Sequence, residues 1–155
     1  MQATEITRRR DPAERKRATL ERLGAERDIW LSTSHPDHGP HQVPLWFLWD
    51  GQAVWMCTGA KSATARNVRE EPRVRLALPD TFDVVLLQGE AEYYSARDVP
   101  QAAADAFAGK FGWDPRTAEA APYLYLRVTP RTVRAWRGEA ELRGRVIMRE
   151  GVWLA

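Results

Sequence analysis

The stretch VPLWFLWDGQAVWMCTGAKSATARN, residues 43–67, decides the fold of this chain. Two apolar runs, residues 41–49 and 53–58, flank the dipeptide Asp50-Gly51, which is a strong signal for a tight turn between antiparallel strands. The second run ends in a glycine turn that leads into a short helix predicted over residues 62–70. A hairpin followed by a strand–turn–helix unit indicates an antiparallel β protein to which helices are added.

Strand and helix patterns recur along the rest of the chain. Further strands are predicted at residues 28–34, 73–78, 83–94, 123–128 and 132–136, and helices at residues 11–24 and 98–111, the last capped by Asp98. Gly89 predicts a bulge or bend inside its strand, and residues 129–131 predict a kink between two strands. Residues 145–154 are expected to form a final hairpin or to lie along a neighbouring element. Six or seven strands and three helices predict a mainly β (α+β) fold. It is an antiparallel barrel or sandwich with helices covering its ends.

Composition excludes several classes of protein. The 155 residues fit a single domain, 1–155, and 44% of them are hydrophobic, which is enough for one core. The net charge of +2 argues against a nucleic-acid partner, and no apolar run has the length of a membrane span. Cys57 is the one cysteine, so an intramolecular disulfide is excluded and a cytoplasmic location is expected.

The N-terminus is too highly charged for a signal peptide. Residues 1–10 are expected to form a flexible, solvated arm before the helix over residues 11–24. The three arginines at positions 8–10 leave open a second interpretation, in which the arm contacts an anionic partner.

All three histidines of the chain lie in the stretch HPDHGPH, residues 35–41. Imidazole is a good ligand for transition metals. Pro36, Gly39 and Pro40 are typical turn residues, however, and two strand patterns flank the stretch. We therefore expect a solvent-facing turn and no metal site. His41 begins the next strand. A second interpretation therefore stays open for it, in which it is a pH-sensitive histidine or lies at the edge of a substrate site.

Residues 43–47 contain a proline inside a strand pattern, followed by two aromatic residues. Proline cannot donate a ladder hydrogen bond, so this segment belongs at an edge or a bulge. Such a segment offers flat backbone and apolar surface to a planar ring. The competing interpretation is an edge strand that packs on the core.

Residues 58–67 run from a strand end, through a glycine turn, into a helix N-terminus. Free N–H groups and the helix dipole favour an anion at such a place. No Asp or Glu occurs between Thr58 and Arg69, whereas hydroxyls and cations are frequent. This composition suits a phosphate, with a solvated basic helix as the alternative. The two segments together indicate a phosphorylated planar cofactor.

The ordered set of these segments resembles the pyridoxamine 5'-phosphate oxidase-like split β-barrels, which bind FMN or the deazaflavin coenzyme F-420. The matching stretches, over roughly residues 27–137, are LSTS, a turn with Gly39-Pro40, VPLWF, a strand ending in Thr58, S-x-x-x-R-N, LLQGEAE and YLYLRVTPRTVRAW. The tail GRVIMREGVWL is similar to the F-420-dependent subgroup of actinobacteria. The resemblance implies an antiparallel six- to seven-stranded split barrel and a homodimer with cofactor clefts at its interface.

The same resemblance implies which residues contact the cofactor. The segment expected to line the ring comprises Gln42, Val43, Pro44, Leu45 and Trp46. The phosphate turn is expected to comprise Thr58, Lys61, Ser62, Thr64 and Asn67. Many relatives carry a lysine at the position of Thr64, and Lys61, one helical turn earlier, is the cation available in this chain.

The expected activity is that of an F-420-dependent oxidoreductase, in which a hydride passes between the deazaflavin and an unidentified small organic acceptor. The alternatives are an FMN-dependent oxidoreductase of the same fold, a non-catalytic cofactor-binding protein, and a cofactor-free dimer. No side chain is identified as catalytic, and solvent is a sufficient proton source. Cys57 is interpreted as a buried packing residue in preference to a nucleophile.

Overall fold

The computed structural model describes residues 8–118 and 120–155 of the chain. The helices are α1 (Pro12–Ala25), α2 (Ala63–Glu70) and α3 (Gln101–Phe111), with 3₁₀ turns at Pro115–Thr117 and Glu139–Glu141. The strands are β1 (Asp28–His35), β2 (Gly39–Trp49), β3 (Val54–Gly59), β4 (Arg73–Ala77), β5 (Asp83–Ser95), β6 (Tyr123–Arg137), β7 (Val146–Arg149) and β8 (Val152–Trp153). The hairpins predicted at Asp50-Gly51 and in the tail are confirmed as β2–β3 and β7–β8.

The strands form one antiparallel sheet in the order β3-β2-β1-β4-β5-β6-β7-β8. Strand β3 also pairs with β6, so the first six strands in this order close into a barrel, and β7 and β8 extend from β6 as a hairpin. The structure thus confirms the predicted antiparallel barrel with short covering helices, and it decides for a barrel over a sandwich.

Strand β6 is a single strand of fifteen residues where the sequence predicted two strands and a kink. Its pairing with β5 shifts by one residue, because Gln88 pairs with Thr132 whereas Gly89 pairs with Pro130. Arg131 is therefore the extra residue of a β-bulge, which absorbs the expected kink without ending the strand. A Cβ atom on Gly89 would lie 2.5 Å from the Thr129 carbonyl oxygen, so this crossing requires glycine.

The helix predicted from Asp98 begins at Gln101. Pro100 occupies the N-cap, and the residue before a proline is disfavoured in helical conformation. The backbone N–H groups of Asp98 and Val99 instead donate to the Ser95 carbonyl in a turn. Helix α1 begins as predicted, because Asp11 caps it and the Glu14 side chain completes a capping box.

Two apolar cores lie on opposite faces of β3. Val54 and Met56 point into the barrel, where the main core is buried. Trp55 and Cys57 point outward into a second core, which α3 covers with Phe107 among other residues. Period-two alternation thus gives β3 two buried faces, which explains its uninterrupted apolar run.

Residues 8–10 contact the fold, in contrast to the solvated arm that was expected there; residues 1–7 lie outside the described residues. Arg10 is 7% exposed, and its guanidinium pairs with Glu141 at 2.8 Å. Arg9 donates to the Arg143 carbonyl, and Arg8 pairs with Glu14. The start of the described chain is therefore fastened to the segment after β6.

None of the helices in the part of the chain that the structure describes is long and apolar enough to cross a membrane.

Candidate functional site

The turn between β3 and α2 has the geometry of an anion site. Ser62 is the N-cap of α2, and its hydroxyl accepts from the Ala65 N–H and lies 2.9 Å from the Thr58 hydroxyl. The N–H groups of Ala63 and Thr64 donate to no acceptor among residues 8–118 and 120–155. The first turn of α2 has no acidic residue, so the positive end of the helix dipole is uncompensated there.

Cations surround this turn. Lys61 is exposed beside the helix start. Arg69 lies near the end of α2, and its guanidinium donates to the Ala60 carbonyl at 2.9 Å. Its positive charge therefore lies beside the turn between β3 and α2. A positive group within reach of free N–H groups suits a phosphate better than a neutral ligand.

Thr64 and Asn67 are buried, at 2% and 0% exposure. The Asn67 amide donates to the Thr33 hydroxyl on β1 at 3.0 Å and accepts from the Arg66 guanidinium at 3.2 Å. The hydrogen bond between Asn67 and Thr33 holds α2 against β1. Of the five residues predicted for the phosphate, Lys61 and Ser62 are the ones whose polar atoms lie nearest to solvent.

The segment predicted to line the ring divides between the two faces of β2. Gln42, Pro44 and Trp46 are exposed on the outer face, and Val43 and Leu45 pack against the barrel core. Side chains of a strand alternate between its faces, so a ring on the outer face meets the first three side chains and the backbone of the other two.

Trp46 belongs to an aromatic cluster that extends toward the phosphate turn. Its indole stacks on Phe111 at 4.9 Å between ring centroids, and Trp113 lies edge-on at 6.4 Å. Trp113 in turn contacts Tyr123 at 5.0 Å, and Tyr123 is the cross-strand partner of Gly59 in the turn. A continuous aromatic surface thus joins the two predicted segments.

The two segments flank one opening in the barrel wall. The β2–β3 ladder ends at the pair Phe47–Met56, after which β2 pairs with β1 and β3 pairs with β6. Both strands continue from that pair toward the same end of the barrel, because they are antiparallel, and they diverge as they do so. Pro44 lies where β2 has no β3 neighbour, as expected for a proline at a strand edge.

Lys110 closes the inner end of this opening. Its ammonium donates to the Phe47 carbonyl at 2.8 Å and to the Glu26 carbonyl at 2.6 Å. Burial lowers the pKa of Lys110, and the charge of Arg27 lowers it further. Both acceptors are backbone carbonyl oxygens. Lys110 therefore has a structural role and is not a further cation of the phosphate turn.

A second concavity was not foreseen from the sequence. A cleft of about 610 Å³ lies on the outer face where β1, β4 and β5 meet. Its polar lining includes Ser32, Ser34, Arg73, Arg75, Gln88 and Arg131. The strand predicted at residues 73–78 is confirmed as β4, and the alternation RVRLA places Arg73 and Arg75 next to each other on its exposed face. That pattern was the available signal.

The turn predicted in the histidine stretch is confirmed for residues 36–38, whereas His35 ends β1 and is buried instead of facing solvent. Residues 36–38 connect β1 to β2, and no group of three potential metal ligands occurs in the described residues. His35 alone is buried: its Nε2 lies 2.6 Å from a Glu70 carboxylate oxygen, and its Nδ1 accepts from the Asp37 N–H. The pair ties the end of β1 to the end of α2.

Cys57 is buried in the core under α3, and that burial raises the pKa of its thiol. A thiol held protonated is a poor nucleophile, so the position agrees with the packing interpretation.

Comparison with solved structures places the fold among known proteins. An F420 reductase is 20% identical, with 73% of this chain and 93% of that chain covered and a TM-score of 0.58. A pyridoxamine 5'-phosphate oxidase-related, FMN-binding protein from Nostoc punctiforme is 22% identical, with 83% and 82% covered and a TM-score of 0.54. General stress protein 26 from Bacillus anthracis is 19% identical, with 77% and 92% covered and a TM-score of 0.58. At these identities the likeness shows the fold alone.

No curated protein matches the sequence significantly. The model of the pyridoxamine 5'-phosphate oxidase family matches residues 16–137, which include all six strands of the barrel and all the predicted cofactor residues. This family has the fold of oxidoreductases that bind flavin-type cofactors, and some of its members are non-catalytic. The chain belongs to the pyridoxamine 5'-phosphate oxidase family.

Proposed function

We propose that this protein is an F-420-dependent oxidoreductase that acts on a small organic molecule. The observation that carries the proposal is the α2 N-terminus, where free N–H groups, hydroxyls and Lys61 flank the same barrel opening as the outer face of β2. An anion site beside a flat, aromatic strand surface suits a ligand with a phosphate at one end and a planar ring at the other.

The residues present fit such a cofactor. Ala63, Thr64 and Ser62 supply main-chain and hydroxyl groups for the phosphate, and Lys61 supplies the charge. When bound, the deazaflavin supplies the hydride chemistry. The protein orients the ring along the backbone of β2, and the aromatic cluster around Trp46 limits the access of water. Solvent provides the proton that accompanies reduction of the acceptor.

The proposal includes a homodimer. Cross-strand pairing aligns Pro44, Trp30, Ala77 and Leu86 in one row across β2, β1, β4 and β5 on the outer face of the barrel. Trp30 is 39% exposed. An apolar row across four strands marks an interaction surface, and a second copy of the chain would bury it. This face continues from Pro44 to Trp46, so a dimer formed here would place the cofactor opening at its interface.

FMN is the second candidate, because it shares the phosphate and the planar ring. The fold also occurs in the FMN-binding protein from Nostoc punctiforme. A protein that binds the cofactor without turnover and a cofactor-free dimer are the remaining alternatives. The cytoplasmic location expected from the single cysteine is part of the same proposal.

The test is a titration of the purified protein with F-420 and, separately, with FMN, followed by fluorescence and absorbance. Lys61→Ala is the test variant, and Arg17→Ala, an exposed cation on α1 without a recorded partner, is its control. We expect F-420 to bind with micromolar affinity or better, and Lys61→Ala to weaken binding about tenfold, which corresponds to about 1.4 kcal/mol.

Tighter binding of FMN than of F-420 would favour the second candidate, an FMN-dependent oxidoreductase. Binding of F-420 without turnover of any acceptor would favour the non-catalytic alternative. The absence of binding by either cofactor would refute the proposal.

A further inference from the structure

The cleft on the outer face arises where two strands of the barrel separate. The β1–β4 ladder ends at the pair Ser32–Arg75, although β1 continues for three more residues. The end of α2 reaches this gap, where Glu70 pairs with His35 and Glu71 lines the cleft. The resulting volume, about 610 Å³, is within the usual range for small-molecule sites, roughly 300–1,000 Å³.

Three arginines and two glutamates, Glu71 and Glu90, line the cleft, so its formal charge is positive. Arg73 is occupied, because its guanidinium bonds the Glu71 carboxylate and it faces Glu90 across the strands. Arg75 and Arg131 have no carboxylate within ion-pair distance in residues 8–118 and 120–155. Two arginines without counter-ions in one concavity favour an anionic occupant.

The bulge in β6 places two successive residues on this face. Because it inserts one residue between the inward-pointing Pro130 and Val133, Arg131 and Thr132 both lie on the outer side of the strand. Pro130, one residue earlier, points inward and is buried. The close contact of Gly89 with the Thr129 carbonyl fixes the crossing at which this occurs. Bulges that re-aim a side chain in this way are common beside functional sites.

The cleft adjoins the segment that would hold the ring. Ser32, which lines the cleft, accepts a hydrogen bond of 3.1 Å from the Gln42 amide. Gln42 is the first residue of that segment, and Pro40 on the same strand also lines the cleft. A molecule anchored at Arg75 can therefore extend along β2 toward the ring.

We propose that this cleft binds the carboxylate or phosphate group of the acceptor, with Arg75 and Arg131 as its specificity-determining residues. The inference rests on the proposed function, and it names the class of acceptor as a small anion. Guanidinium groups bind both anion types through paired N–H donors, so the chemistry is shared and the source is decided by experiment.

The experiment follows binding of inorganic phosphate, of succinate and of the neutral succinamide to the cofactor-free protein at low ionic strength. The readout is the NMR shift of the arginine Nε–H and strand β4 amide signals. Arg75→Gln and Arg131→Gln are the test variants, and Arg17→Gln is the control with the same loss of charge. The two cleft arginines are exposed, so we expect both variants to fold normally. Thermal unfolding of each variant checks this.

We expect saturable binding of phosphate or succinate, no binding of succinamide, and at least a tenfold loss of affinity in each test variant but not in the control. Stronger binding of phosphate indicates a phosphorylated acceptor, and stronger binding of succinate a carboxylic acid. The inference would be overturned if the wild type bound no anion, or if both test variants bound the anions with the same affinity as the wild type.

A parallel F-420 titration separates this inference from the proposed function. If F-420 binds normally but the anions do not, the cleft assignment fails and the proposed function stands. If the anions bind but F-420 does not, the proposed function fails and the role of the cleft in holding an acceptor is overturned with it. If Arg75→Gln weakens F-420 as much as it weakens the anions, the cleft holds part of the cofactor, which also overturns the assignment.

Discussion

Replacing Glu141 by glutamine should remove the ionic contact that fastens the chain start to the segment after β6. Glu141 is 1% exposed, and its carboxylate accepts from the Arg10 N–H and the Arg137 N–H, both at 2.7 Å, and from the Arg10 guanidinium. Burial alone would raise the pKa of Glu141, but these hydrogen bonds outweigh it and lower the pKa from 4.5 to about 2.

The magnitude follows from that shift. Each tenfold change in an acid dissociation constant is worth about 1.4 kcal/mol, so the charged form of Glu141 contributes about 3 kcal/mol to the free energy of unfolding at pH 7. For a chain of this length, that loss lowers the melting temperature by roughly 6–12 °C. Loss of one partner from a buried ion pair has a similar cost, about 3–5 kcal/mol.

The same contact predicts a pH dependence. The pKa of Glu141 is lower in the folded chain, so the unfolded chain binds the proton more tightly, and stability is lost as the pH falls from about 4.5 toward 2. At pH 3 the contribution should have fallen to about 1.4 kcal/mol. The difference between wild type and Glu141→Gln should therefore narrow by about half between pH 7 and pH 3.

Urea unfolding followed by circular dichroism at both pH values measures the difference. Glu139→Gln is the matched control, because Glu139 lies on the same 3₁₀ turn, is exposed, and its side chain forms no hydrogen bond or ion pair within residues 8–118 and 120–155. The argument is refuted if Glu141→Gln costs no more than the control, or if the difference from wild type is the same at pH 3 as at pH 7.

Three further predictions test other parts of the structure. Gly89→Ala should destabilise the chain by about 1–3 kcal/mol, since its Cβ would lie 2.5 Å from the Thr129 carbonyl; an unchanged urea midpoint would contradict this. Asn67→Ala should cost about 1–3 kcal/mol in the same assay, because it breaks the buried hydrogen bond between α2 and Thr33 on β1. A loss below about 0.5 kcal/mol, typical of surface changes, would mean that other contacts hold α2 in place. Trp30→Glu should convert a dimer to a monomer in sedimentation velocity, while Val152→Glu, at a side chain 64% exposed on the tail hairpin, should leave the dimer intact; a Trp30→Glu dimer would exclude the proposed interface.

Features that depend on neighbours in sequence were predictable. The Asp50-Gly51 turn, the Asp11 cap of α1 and the tail hairpin follow from residues a few positions apart. The start of α3 is local too: the restriction that Pro100 imposes on the residue before it moves the start from the predicted Asp98 to Gln101. The continuity of β6 was not local, because it depends on the register of β5 opposite the bulge.

The candidate site shows the same division. The composition of the turn after β3 pointed to Lys61 and Ser62 as candidate phosphate contacts without knowledge of the fold, and their role stays a prediction. Whether Thr64 and Asn67 face a ligand or the barrel interior depends on how α2 docks, and docking buries both. Which member of a helical segment is buried is set by its tertiary partner, so a motif alone could not decide it.

By itself, the sequence determined the strands apart from the continuity of β6, the hairpins, and the antiparallel mainly β class of this protein, since period-two alternation and turn chemistry act over a few residues. The tertiary structure alone decided that β3 pairs with β6, that β1 separates from β4 beyond Ser32, and that Arg75 and Arg131 share a cleft. These are contacts between segments far apart in the chain. Alternation tells which face of its own strand a residue occupies, but closure of the barrel decides which strands become neighbours and where a gap remains between them.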